Sequence, residues 1–211
     1  MATAAVWYFD FISPFAYLQF ARLGELALQL DITLKPVLLS GLLRHWGHKG
    51  PAEIPSKRRF VYRFFKWTAD RRGIPFVMPP VHPFNPLPPL RLALVAGVDM
   101  KTVGVVFHYI YGEGNDIDTD QAIGVLAGRL GIDKVEARLS DQNVKDALRA
   151  NTEEAIAQGV FGVPTFAVEG EIFWGDDATG MLEDYLQDRD LFRKGEMARL
   201  SSMPMGRVRR R

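Results

Sequence analysis

The 211-residue chain contains no cysteine. That absence removes disulfides, thiolate metal sites and a protein-borne thiol nucleophile from the chemistry open to it. No stretch approaches the ~20 consecutive apolar residues that a bilayer-spanning helix needs. The opening MATAAVWYFD lacks the basic start and long apolar core of a secretory signal, so the expected location is a reducing cytoplasm. An excess of one charge is also missing: 26 Lys and Arg face 25 Asp and Glu, a net charge of +1, and no global field gathers nucleic acid. The local exception is RVRRR, Arg207 to Arg211, and a terminal basic run of this kind reads as a solvated, frayed end. There is no glycine-rich phosphate loop and no serine-hydrolase elbow around Ser13. His45 and His48 lack a spaced third ligand, so no metal site is expected.

What is present is an ordinary globular composition, 47% hydrophobic and 24% charged, in a chain long enough to bury a substantial core. Val6 to Phe11 reads as a strand, with Asp10 its odd polar member. Ser13 then suits an N-cap and Pro14 a first helical residue, and Phe15, Leu18, Leu23, Leu26 and Leu30 continue with helical period. Ile32 to Leu39 reads as a second strand, parallel to the first across a right-handed crossover. Gly47 to Pro55 is a loop and Ser56 to Arg72 a helix, whose Phe60, Phe64, Phe65 and Trp67 are expected in a core. Seven of the chain's 13 prolines fall in Pro75 to Leu90, which is therefore expected to be a rigid, extended connector. Helical segments follow from Leu90 to Ala157, with a break near Gly112 to Asp120 and a fresh start at Ser140-Asp141. Thr165 to Val168 and Ile172 to Trp174 form a tight hairpin through Glu169-Gly170-Glu171, and Thr179 to Gln187 is a last helix. The layout is α/β: a thioredoxin-like domain made from residues 1–40 and 159–211, interrupted by an inserted helical domain at 41–158.

Thioredoxin-type folds place their reactive residues where the first strand meets its helix, typically as Cys-x-x-Cys. Here SPFA, Ser13 to Ala16, fills that slot, and FGVPTF, Phe161 to Phe166, supplies the proline that such folds hold cis before the third strand. Together with PAEIPSKRRF and FWGDD, FDFISPFAYL and FGVPTF resemble the 2-hydroxychromene-2-carboxylate isomerases. These are glutathione-dependent members of the kappa-class glutathione transferase group, within the larger DsbA-like family. The resemblance runs from about Trp7 to Leu186. It implies glutathione as the source of the missing sulfur. Ser13 would stabilise the thiolate, helped by the Phe15 N–H at the positive end of the helix. The Val163-Pro164 backbone would pair with glutathione as an added strand. Trp174, Gly175, Asp176 and Asp177 would hold its γ-glutamyl end, with Asp177 the first choice for the ammonium group. Asp176 and Asp177 are equally placed to cap the helix near Thr179, and the family's arginine at the next position is Ala178 here.

On the substrate side the resemblance implies Arg44, Glu53, Lys57 and Asn85. Arg44 stands where the family often carries lysine, and its bidentate fork suits a carboxylate. Glu53 stands where related enzymes can have asparagine. Asn85 and Arg91 match a family motif and would line the pocket or fix the connector. The implied reaction converts 2-hydroxychromene-2-carboxylate, a small aromatic carboxylate, to trans-o-hydroxybenzylidenepyruvate in naphthalene catabolism, carried out by a homodimer. The alternatives are a kappa-type transferase using another electrophile and a non-enzymatic glutathione or peptide binder. A disulfide oxidoreductase is disfavoured because SPFA contains no redox sulfur.

Overall fold

The computed structural model describes residues 2–207, so most of the arginine tail lies outside the described residues. The chain forms two compact units, one running to Asp176 and one from Asp177 onward. In the first, β1 (Thr3–Phe9) leads into α1 (Pro14–Phe20) and α2 (Leu23–Leu26), and β2 (Leu30–Pro36) returns beside it. Helices α3 (Leu39–Trp46), α4 (Pro55–Arg72), α5 (Leu87–Ala96), α6 (Met100–Phe107), α7 (Asp120–Arg129), α8 (Val135–Ser140) and α9 (Gln142–Ala157) follow. The hairpin of β3 (Thr165–Val168) and β4 (Glu171–Trp174) closes the sheet. Its order is β2-β1-β3-β4, with β1 parallel to β2 and antiparallel to β3. This is the expected thioredoxin-like plan. The second unit holds α10 (Thr179–Gln187) and α11 (Gly195–Ser201), with Tyr185 stacked on Phe192 at 5.5 Å.

β1 is central and covered on both faces, which is why its sequence is nearly all apolar. Trp7 and Phe9 stack at 4.8 Å on one face and meet Phe107 of α6, which also packs edge-on against Phe11. Tyr8 points the other way, among Val37, Leu42, Ala155, Val160 and Val163.

Several element ends differ from expectation, each for a local reason. β1 stops at Phe9 because the buried Asp10 starts a turn: its main-chain carbonyl accepts Ser13 N–H, and its carboxylate accepts Ile12 N–H. β2 ends at Pro36, which has no N–H for the ladder, and Leu39 already opens α3. The helical period from Phe15 to Leu30 is split, since Leu30 pairs with Thr3 in β2. The last four residues of the proline-rich connector are helical: Pro88 and Pro89 sit in the first turn of α5, where no N–H is required. Of the four aromatics expected in a core on α4, only Phe65 enters it, beside Val61 and Ala69. Phe60, Phe64 and Trp67 are 66%, 37% and 55% exposed and stack on one another along the outer face. Finally, a short 3-10 turn at Asp176–Ala178 leads into α10, whose N-cap position is Ala178.

Candidate active site

The corner between β1 and α1 is built by residues from four other places in the first unit. Ser13 is 7% exposed, with an extended backbone, and its Oγ accepts the Ala16 N–H at 3.3 Å as an N-cap. The same hydroxyl donates to the Val163 carbonyl at 3.4 Å, across 150 residues of sequence. The Val163-Pro164 peptide bond is cis. Among the described residues no hydrogen bond engages Val163 N–H or Phe15 N–H.

The corner itself is clamped. Both Asp10 oxygens accept main-chain N–H groups, from Ile12 at 3.0 Å and from Leu39 at 2.8 Å. Burial pushes the Asp10 carboxyl up to about 7, against the opposing pull of those two bonds. Tyr111, carried on a π-helical turn at His108–Gly112, donates to the Phe11 carbonyl at 2.9 Å. His82, from the connector between α4 and α5, reaches the Ile12 carbonyl with Nε2 at 2.8 Å. None of these four contacts has a sequence signature, although Asp10 stood out as a polar residue in an apolar strand.

A second wall lies at the end of β4. Gly175 N–H donates to the Pro164 carbonyl at 2.8 Å, and the Gly175 carbonyl accepts Gln19 Nε2 at 3.1 Å. The buried Gln19 is oriented in turn by Trp7 Nε1, which donates to its Oε1 at 2.7 Å. Asp176 is buried, and Arg72 of α4 forks onto its two oxygens at 2.8 Å each. Trp174 is 53% exposed and packs against Phe161 and over Gly162. Gln19 and Arg72 were not foreseen from the sequence.

The residues expected on the substrate side are not joined to this corner by any hydrogen bond or ion pair among the described residues. Arg44 is exposed in the last turn of α3 and Lys57 in the first turn of α4, and neither has an acidic partner among those residues. The Glu53 carboxylate folds back to accept Gly50 N–H at 2.5 Å. Asn85 is committed to the connector: its side chain accepts Leu87 N–H, and its own N–H donates to Asp118. Arg91 donates to the Leu139 carbonyl. Asp177 is exposed, at the start of the second unit. No group of three or more His, Asp or Glu side chains suited to a metal occurs among the described residues.

A cis-proline facing the residue at the head of the first helix defines a thioredoxin-type site. In agreement, residues 5–187 match the model of the DSBA-like thioredoxin domain, and the chain belongs to that family. Within it, the chain is 32% identical to the 2-hydroxychromene-2-carboxylate isomerase of Pseudomonas putida over 190 residues, covering 84% of this chain and 91% of that one. It is 28% identical to glutathione S-transferase kappa 2 of Caenorhabditis elegans, covering 86% and 91%. A solved 2-hydroxychromene-2-carboxylate isomerase superposes with a TM-score of 0.78 at 27% identity, over 94% of this chain and 98% of the other.

Proposed function

We propose that this protein is a glutathione-dependent isomerase converting 2-hydroxychromene-2-carboxylate to trans-o-hydroxybenzylidenepyruvate. The observation that carries the reading is the buried Ser13 hydroxyl facing Val163-Pro164 in a chain with no sulfur nucleophile of its own. The free Val163 N–H fits a peptide backbone laid alongside it. When bound, glutathione supplies the sulfur nucleophile whose reversible addition lets the substrate ring open and a carbon–carbon bond rotate.

The chain's own part is to hold and ionise that sulfur. Ser13 turns its hydrogen from the Val163 carbonyl to the thiolate, a rotation about one side-chain bond, and Phe15 N–H adds a second donor. The Gly175 carbonyl is fixed by Gln19, and Trp174 covers the backbone at Gly162. Asp177 is retained from the family motif as the carboxylate for the γ-glutamyl ammonium. Arg44 and Lys57, cations without acidic partners, are assigned to the substrate carboxylate. The reading extends to a cytoplasmic homodimer acting in aromatic degradation, as the family resemblance implies.

Titration calorimetry with glutathione, followed by an absorbance assay on the chromene acid, tests the assignment. Binding with turnover of a chromogenic electrophile alone would instead mark a kappa-type transferase, a reading the 28% identical relative supports. Binding without turnover of either substrate would mark a binder. A smaller effect is expected at Gly162, where a Cβ would come within 2.5 Å of Trp174 Nε1. Gly162→Ala should displace the half-exposed indole, shift its fluorescence, and weaken glutathione by about five-fold, a cost near 1 kcal/mol. Unchanged affinity with a displaced indole would remove Trp174 from the site.

A further inference from the structure

The peptide linking Ile12 to Ser13 is held at both ends. Its N–H, on Ser13, donates to the Asp10 main-chain carbonyl at 3.0 Å, and its C=O, on Ile12, accepts from His82 Nε2 at 2.8 Å. A peptide plane fixed at both polar atoms fixes the torsion that follows it, and that torsion aims the Ser13 side chain. The Asp10 end is local, a turn within four residues. The His82 end is remote, coming from a connector 70 residues away.

His82 is itself held. Tyr62 Oη of α4 donates to the His82 carbonyl at 2.8 Å and lies 2.7 Å from Nδ1. The imidazole also packs edge-on against the Tyr62 and Phe84 rings. An Nε2 that donates to a carbonyl leaves a neutral ring able only to accept at Nδ1, so the single Tyr62 hydrogen is shared between Nδ1 and the His82 carbonyl. Burial lowers the imidazole's affinity for a proton, which favours that neutral form.

We infer that His82 is a positioning residue for Ser13, acting through the Ile12 carbonyl, and that Tyr62 sets the tautomer in which it does so. The role deepens the glutathione reading and rests on it for its catalytic meaning, but the positioning can be measured without any ligand. Through it α4, which carries Lys57, is connected to the corner that presents the serine.

The test pairs a structural arm with a chemical one. A crystal structure of His82→Phe is expected to show the Ile12-Ser13 peptide rotated and Oγ moved off the Val163 carbonyl. His82→Gln, whose amide can donate from a similar place, should restore both. In the chemical arm, thiolate absorbance of bound glutathione is followed against pH. His82→Phe should raise the pKa of the bound thiol by about one unit, with the affinity for S-methylglutathione unchanged. Tyr62→Phe, a milder change that should leave the fold intact, is expected to shift the ¹⁵N signature of His82 away from a single Nε2–H tautomer and to give a smaller loss of thiolate.

If Ser13 keeps its place in His82→Phe, or if Gln fails to restore it, the positioning role is overturned. An unchanged His82 tautomer in Tyr62→Phe overturns the part given to Tyr62. Absence of bound thiolate in the unmodified protein would instead sink the glutathione reading, leaving the structural arm to decide on His82.

Discussion

Ser13→Ala is expected to lower turnover of the chromene acid by about two orders of magnitude, the usual loss when one donor to a developing anion is removed. Two roles of the hydroxyl have to be separated. As an N-cap it accepts Ala16 N–H at 3.3 Å, and its deletion on that account costs about 1 kcal/mol of stability and nothing in chemistry. As a donor to a thiolate it forms a charge-assisted bond worth about 1.5–3 kcal/mol. The helix end contributes less, since α1 is only seven residues long and such dipoles give about 0.3–1 kcal/mol. The variant should therefore melt slightly lower, bind glutathione within a few-fold of the original, and raise the pKa of the bound thiol. If only the melting temperature moves, Ser13 is a cap and the proposed chemistry belongs elsewhere.

The two motifs that define this site were legible because each carries a local signal. A strand that ends in Ser-Pro, and a Val-Pro-Thr that precedes a hairpin, announce themselves within a few residues. That they meet is a property of the fold, and the bond from Ser13 to Val163 spans 150 residues. The supporting contacts were not legible, for the same reason taken further. Arg72 and Asp176 lie 104 positions apart, and Gln19 and Gly175 lie 156 apart. No periodicity links such pairs, because they are chosen by packing and hydrogen-bond satisfaction after the elements have formed.

The proline-rich connector illustrates a different limit. Counting prolines foretold an irregular segment but could not show that Pro88 and Pro89 would start a helix. The exposed ladder of Phe60, Phe64 and Trp67 shows a third. A helical aromatic stripe predicts a shared face, and here that face is turned outward, flanked by cations such as Lys57 and Arg63.

Asp10 carries the second large prediction, because an aspartate fully withdrawn from water seldom stays charged at no cost. Its carboxyl, near 3.9 in an unfolded chain, is pushed to about 7 in the native state by burial. Between those values the folded protein holds a proton that the unfolded chain has released. Stability from this group is therefore complete below about pH 4, falls as pH rises through 7, and is level above that. The loss is on the order of 4 kcal/mol, or roughly 10 °C in melting temperature for a chain of this size. Glu113, Glu154, Asp188 and Glu196 act in the opposite sense, since their native pKa values are lowered by basic or hydrogen-bonding partners. Their contributions are lost only in stronger acid, so from pH 5 to 8 the fall belongs to Asp10, opposed by His82, whose lowered native pKa makes stability rise with pH. Asp10→Asn should remove that fall in urea melts taken across the interval and leave the opposite rise from His82. It should also be less stable at pH 5, because its amide nitrogen must face one of the two N–H donors, Ile12 or Leu39, that the carboxyl oxygens now receive. An identical pH slope in the variant would mean that Asp10 keeps its charge throughout, held by those two amides against the loss of water.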